Sequence, residues 1–199
     1  MARWEPDARG RLEKAAMDLF TERGYESTTV ADIATRAELT ERTFFRYFAD
    51  KREVLFSGSK DLERKILDGV AAASRELPAL EVLVEAYAAA AAWLEELRAI
   101  EYVRARYALV AKHAEIQERE LIKLAGLGAA TSQALIARGE SASTASLAAE
   151  LGLAVFKLGF DRWLAARKPR DFAGHIRAAL VDLKLVVSAA PSKPRRIRG

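Results

Sequence analysis

Three helix starts fall within the stretch from Thr28 to Lys51, TTVADIATRAELTERTFFRYFADK, and the rest of the chain is organised around it. Thr29 followed three residues later by Asp32 has the form of a capping box. Ile33, Ala34 and Ala37 give the first helix a narrow apolar stripe, small enough for a close crossing. Leu39 fills a tight turn. Thr40 caps the second helix, whose Phe44 and Phe48 stand four apart and face inward together. Asp50 caps a third helix, with Glu53 at its N3 position. Two short helices crossing on small side chains, the second carrying Thr40, Arg42, Thr43, Arg46 and Tyr47 outward, have the form of a helix-turn-helix that enters a major groove.

The segments around this stretch read as helices. Leu12, Ala15, Ala16, Leu19 and Phe20 form one apolar face of a helix from about Asp7 to Arg23, ended by Gly24. With the two short helices it makes a three-helix head, on which Tyr25 packs. A long helix is expected from Lys51 to about Ser74, then a break at Leu77-Pro78. An Ala-rich helix follows from about Leu80 to Arg98, a shorter one from Ala99 to Lys112, and another from Ala114 to Ala137, ended by Gly139. Six alanines on the Ala-rich helix mean either close packing or an adjacent cavity. The next helix starts at Ser141 or Ser143 and runs to about Ala166. Its apolar residues form two faces: Leu147, Leu151, Val155 and Leu158, and Leu153, Phe156, Phe160 and Leu164. Asp171 caps a last helix with Phe172, Ile176, Leu180, Leu183 and Val187 on one face and Ala178, Val181 and Leu185 on a second. Helices apolar on two sides are buried on two sides. The reading is all-α: about nine helices, with a helix-turn-helix head over residues 1–50, a helical body over 51–190 and a basic tail over 191–199.

Composition excludes several classes. With no cysteine there is no disulfide, thiolate metal site or thiol redox sensor. No run of about 18 apolar residues is seen, so no membrane span is expected, and no secretory leader is evident. This fits a cytoplasmic chain. The two histidines, His113 and His175, stand in no metal or acid-base spacing, and no phosphate loop or nucleophile elbow is present, so neither enzyme activity nor a cofactor is expected. The net charge of +4 is a poor guide to nucleic acid, because residues 1–52 hold ten basic and ten acidic residues. Local placement is better: Arg42, Arg46, Lys51 and Arg52 are opposed in their stretch only by Asp50.

From Leu12 to Leu55 the chain resembles the DNA-binding domain of the TetR (tetracycline-repressor-like) regulators. The resemblance rests on Ala16-Met17-Asp18-Leu19-Phe20 with Arg23-Gly24-Tyr25, on Thr28-Thr29-Val30-Ala31-Asp32-Ile33-Ala34, and on Thr43-Phe44-Phe45-Arg46-Tyr47-Phe48 with Lys51. Two positions depart from the family: Glu38 stands where Gly is usual at a helix end, and Phe45 where Tyr is usual. The resemblance implies a homodimeric repressor on a palindromic operator, released by a small-molecule effector. It also implies that the helix after the head transmits movement from the body. A ligand-independent regulator or activator of the same fold is one alternative, and a small helical enzyme or carrier using a body cavity is another.

The site residues follow. Thr40, Arg42, Thr43 and Arg46 are assigned to the groove, Arg42 reading guanine and Thr43 touching a thymine methyl. Thr28, Tyr47 and Lys51 are assigned to phosphates, with Thr29 beside them. Tyr87, Trp93, Tyr102, Phe156, Phe160 and Trp163 read either as core or as the lining of an apolar pocket, with Arg106 meeting an anionic end. The run Arg104-Ala105-Arg106, with the Arg42 to Phe48 segment, resembles a TetR branch that senses acyl-coenzyme-A-like ligands. Leu151, Phe160, Ile176, Leu180 and Leu183 are expected at a four-helix dimer interface.

Overall fold

The computed structural model describes residues 7–167 and 170–188. Among these the chain forms nine α-helices, one short 3-10 helix and no strand, as the all-α reading expects. The α-helices are α1 (Ala8–Arg23), α2 (Val30–Arg36), α3 (Glu41–Tyr47), α4 (Ser59–Ala72), α5 (Ala79–Leu97), α6 (Ile100–Lys112), α7 (Ala114–Ala137), α8 (Ala142–Ala165) and α9 (Phe172–Ser188). The basic tail over 191–199 and residues 1–6 lie outside the described residues.

Side-chain caps set the helix starts. Thr29 Oγ1 accepts from Asp32 N at 3.1 Å while Asp32 Oδ2 accepts from Thr29 N at 3.0 Å, completing the capping box of α2. Thr40 Oγ1 accepts from Thr43 N at 3.1 Å to start α3, and Ser141 does the same for Thr144 N at 3.1 Å to start α8.

The chain divides into two compact units, Met1–Lys65 with Leu94–Leu127, and Ile66–Trp93 with Gly128–Gly199. In the first unit α1, α2 and α3 close over Leu12, Leu19, Phe20, Ile33, Phe44 and Phe48, and Val110 and Ile116 complete the same core. A buried carboxylate ties its elements together. Glu13 of α1 meets Arg98 at 2.8 Å and Arg9 at 3.3 Å, and accepts a short hydrogen bond from Ser57. Since an unpaired carboxylate would be expensive in this position, the two guanidiniums and the hydroxyl are what make it tolerable.

Two local features differ from the sequence reading. The long helix expected from Lys51 is instead a 3-10 helix (Glu53–Phe56), a break at Ser57-Gly58, and then α4. Gly58 sits at φ 84°, in the left-handed region that glycine enters without penalty, so the chain turns there rather than continuing the helix. Glu38 does occupy the glycine-type position, at φ 54°. Arg11 supports it by donating to the carbonyl of Ala37 and, at 3.3 Å, to the Glu38 carboxylate.

In the second unit α8 packs along α9. Gly159 lies directly against the Ile176 backbone: a Cβ there would stand 2.8 Å from Ile176 Cα. The alanines of α5 serve close packing, Ala86 lying against Gly69 of α4, while Tyr87 touches Gly152 of α8. Arg138, at the end of α7, donates to the carbonyls of Val70 (2.8 Å), Ala73 (3.0 Å) and Ser74 (2.8 Å), and so caps the C-terminus of α4.

α8 is, among the described residues, long and apolar enough by length and composition to cross a membrane, although it holds no unbroken apolar run of about 18 residues. Its apolar side chains are divided here between two faces. Leu153, Val155, Phe156 and Trp163 are buried, whereas Leu147, Leu151 and Leu158 are exposed.

Candidate nucleic-acid interface

The exposed side of α3 is set by what its other side buries. Phe44 and Phe48 are sealed in the head, their ring centroids 5.4 Å apart. Successive residues on a helix turn by about 100°, so Arg42 and Arg46 point away from that pair. Both are exposed, and Arg42 has no hydrogen bond or ion pair among the described residues. Its five guanidinium donors are therefore available to a base edge or a phosphate. Arg46 is pre-ordered: its guanidinium lies 4.9 Å from the Tyr47 ring centroid and donates to the Tyr47 hydroxyl at 3.2 Å. That hydroxyl, acting as acceptor, keeps its own proton for an outside acceptor such as a phosphate oxygen. Thr40 and Thr43 share a hydroxyl contact of 3.0 Å at the start of α3, so their side chains are committed to the cap.

Three residues assigned to DNA are engaged within the protein. Thr28 is buried and donates to Gly24 O at 2.9 Å. Thr29 is occupied by Asp32. Lys51 Nζ donates to Tyr25 O at 2.8 Å and Thr28 O at 3.0 Å, and lies 4.2 Å from the Tyr25 ring centroid. An ammonium that closes the loop between α1 and α2 in this way has little left for a phosphate, so Lys51 is corrected to a loop cap. The carbonyls that claim it carry no signal in the sequence. Asp50 accepts from Arg52 N at 2.8 Å and Glu53 N at 3.2 Å. Burial pushes the Asp50 carboxyl up, but the Arg52 guanidinium and those two N–H groups outweigh it and hold it below the usual range. The Asp32 carboxyl is also lowered, chiefly by its hydrogen bonds from the Thr29 side chain and backbone.

The residues assigned to a ligand belong to both units. Tyr87, Trp93, Phe156 and Phe160 are in the second, where Phe156 joins Tyr87 at 5.3 Å, Phe172 at 5.8 Å and Phe160 at 6.4 Å between ring centroids. Burial pushes the Tyr87 hydroxyl up to about 12 and leaves it without a hydrogen-bond partner among the described residues. Trp163, stacked on Phe172 at 4.7 Å, joins this cluster, as the sequence grouping expects, and has a buried indole N–H without a partner. Tyr102 and Arg106 are in the first unit. Arg106 pairs with Glu120 at 2.7 Å and donates to Leu55 O at 2.6 Å, so it is corrected from a ligand anchor to a structural ion-pair partner. An open cleft of about 610 Å³ lies in the first unit, lined by Tyr47, Asp50, Arg52, Glu53, Lys60, Arg119 and Lys123 among others. Its charges are largely paired with each other, Glu53 taking both Arg119 at 2.5 Å and Lys123 at 3.5 Å.

The expected interface set also divides. Ile176 is fully buried against Gly159 within the protomer and is corrected to a core residue. Leu180, Leu183 and Phe160 are half-buried. Leu151 is exposed, together with Leu147 and Leu158 on α8 and Val181, Leu185, Val186 and Val187 on α9. The heptad-like spacing of Leu147, Leu151 and Leu158 was legible, but Val181 and Leu185 were read as a second packed face.

Comparison with known proteins agrees with the head. Residues 12–57 match the family described as bacterial regulatory proteins, tetR family. The HTH-type transcriptional regulator TcmR of Streptomyces glaucescens is 42% identical over 59 residues, 30% of this chain and 26% of that protein. The HTH-type regulator HbdR of Aromatoleum sp. is 36% identical over 56 residues, 28% of this chain and 24% of that protein. The matched stretch thus spans about a quarter of the length of these curated relatives. Among solved structures, a TetR-family regulator from Syntrophomonas wolfei aligns over 94% of this chain and 98% of its own, with TM-score 0.64 and 22% identity. FadR of Thermus thermophilus, a TetR-family repressor solved with lauroyl-CoA, aligns over 96% and 99%, with TM-score 0.53 and 23% identity. At such identities these two speak for the fold. The capped helix-turn-helix, with its second helix exposed, matches the tetR family of bacterial regulatory proteins over residues 12–57, and the all-helical fold of the chain is similar to that of solved TetR-family structures.

Proposed function

We propose that the protein is a homodimeric transcriptional repressor that places one α3 in each half of a palindromic operator and is released by a small-molecule effector. The observation that carries this is the recognition surface of α3, where unpaired Arg42 and pre-ordered Arg46 and Tyr47 stand opposite the sealed Phe44 and Phe48. Arg42 reads guanine in the major groove, and the Tyr47 hydroxyl donates to a phosphate. The chain acts in the cytoplasm, on DNA, without catalysis.

The exposed apolar side chains of α8 and α9 support the dimer. Leu147, Leu151, Leu158, Val181 and Leu185 would be costly to leave in water, and a second copy presents the same set in an isologous pairing. The effector is held in the second unit, among Tyr87, Trp93, Phe156 and Phe160. It is largely apolar, since that cluster is aromatic, and a long-chain acyl thioester is the first probe to try. Release from DNA requires only that the effector bind the DNA-competent and incompetent conformations with different affinity.

The test combines light scattering, which should give about twice 21.9 kDa, with a gel shift on the DNA flanking the protein's own gene. A stable monomer, or no sequence-selective shift on that DNA or on duplexes selected from a random pool, would sink this reading.

A further inference from the structure

We infer that Phe45 reads thymine in the operator through its 5-methyl group, and so sets base preference beside the guanine read by Arg42. This rests on the DNA-binding reading above and adds a second specificity determinant to it.

Phe45 is a large apolar side chain on the exposed surface of α3, 55% accessible, although its neighbours Phe44 and Phe48 are buried. It is not loosely placed. Its ring stands edge-on to Phe44, with centroids 5.5 Å apart and planes at 84°. Phe44 is fixed in the core, so the Phe45 ring is held in one orientation on the helix. Arg42 lies three residues earlier, on the adjacent strip of the same helix, so a base read by Arg42 brings its neighbours under the phenyl ring.

A phenyl ring neither donates nor accepts a conventional hydrogen bond, which excludes a productive contact with the polar base edges and with phosphate oxygens. The one apolar group that base pairs present in the major groove is the thymine 5-methyl. Exposing the ring in the free protein is unfavourable, and covering it with that methyl recovers part of the difference. Thr43, the sequence-based candidate for the same contact, has its hydroxyl held by Thr40 at 3.0 Å, and its side chain is only half-exposed.

The test needs no knowledge of the operator in advance. Duplexes selected from a random pool by the full-length protein define a consensus. Each thymine in it is then replaced by deoxyuridine, which removes the methyl and nothing else. Fluorescence anisotropy gives the affinity of the wild type, Phe45→Ala and Phe45→Tyr for each duplex. Wild type should lose on the order of four-fold in affinity when one particular thymine of a half-site loses its methyl, the size expected for one buried methyl. Phe45→Ala should bind the thymine and uracil duplexes equally, and Phe45→Tyr should keep most of the discrimination. Circular dichroism on Phe45→Ala checks that the head still folds. Equal wild-type affinity for every uracil duplex overturns the proposal. So does a Phe45→Ala loss that is the same on both duplexes, since the ring would then be packing on sugar. A failure to select any consensus would instead overturn the DNA-binding reading itself.

Discussion

Two glycine-to-alanine substitutions in helices should move stability in opposite directions. At Gly159 of α8 an added Cβ would stand 2.8 Å from Ile176 Cα and 2.9 Å from Ile176 N. Both are backbone atoms of α9, so no rotamer change relieves the contact. Ordinary van der Waals contact begins near 3.4 Å, so α8 and α9 must separate locally by about 0.6 Å. A gap of that size forfeits a quarter to a half of the dispersion attraction of the atoms it parts. Overpacking of this kind costs about 3 kcal/mol, and the better helix propensity of Ala returns about 1 kcal/mol, leaving a net loss of roughly 2 kcal/mol. At Gly126 of α7 nothing lies within 4 Å of the added Cβ, so only the propensity gain of about 1 kcal/mol applies. Urea unfolding followed by circular dichroism, at one fixed protein concentration, should place the two midpoints on opposite sides of wild type. Since the helix-turn-helix is untouched in both, DNA affinity at low temperature should be unchanged. If Gly159→Ala matched or exceeded wild-type stability, the close α8–α9 packing described here would be wrong.

Arg42→Ala should cost about 1–3 kcal/mol on the selected operator and relax the preference at one base pair, read by binding to a set of single-substitution duplexes. Lys51→Met should lower the melting temperature of the protein, because the carbonyls of Tyr25 and Thr28 lose their cap, while the slope of binding against salt stays the same. Arg106→Ala should lower stability by about 2 kcal/mol by leaving Glu120 and Leu55 O unpaired, with no selective loss of affinity for an acyl-coenzyme A probe in calorimetry. The carboxyls of Asp32, Asp50 and Glu53 are held below their ordinary values, so their stabilising contribution is fully present above their unfolded values and is lost as pH falls through the folded ones. Thermal melts should therefore hold steady from pH 7 to about 5 and drop below about pH 4.

The parts of this structure governed by neighbours in sequence were legible before any coordinates. The capping box of Thr29 and Asp32, the cap at Thr40, and the inward pair Phe44 and Phe48 depend on residues three or four apart, and each stands as read. The left-handed turn at Glu38 was legible too, as a glycine position without its glycine. What failed depended on partners far along the chain. Arg106 looked available until Glu120 and the Leu55 carbonyl claimed it, and Lys51 until the carbonyls of the loop after α1 did. Ile176 sits on the same helix face as exposed residues, and only the absence of a side chain at Gly159 draws it into the core. The break at Ser57-Gly58 was hidden by an apolar pattern that suits a 3-10 turn and an α-helix equally well.

The Arg138 clamp bears on the order in which the chain can be completed during synthesis. The last carbonyls of α4 find their donors in a side chain that lies 64 to 68 positions downstream. A ribosome adding roughly 5–20 residues per second needs several seconds to cover that distance. For that interval the carbonyls of Val70 and Ala73 have only water as a partner, while Ser74 O keeps the Leu77 N–H at 3.3 Å. Arg138 reaches these carbonyls only once α7 has been made, so a ribosome stalled before it would hold a nascent chain with a frayed helix end. Pulse proteolysis of chains arrested on either side of residue 138 would see that end as a cleavage site that closes abruptly.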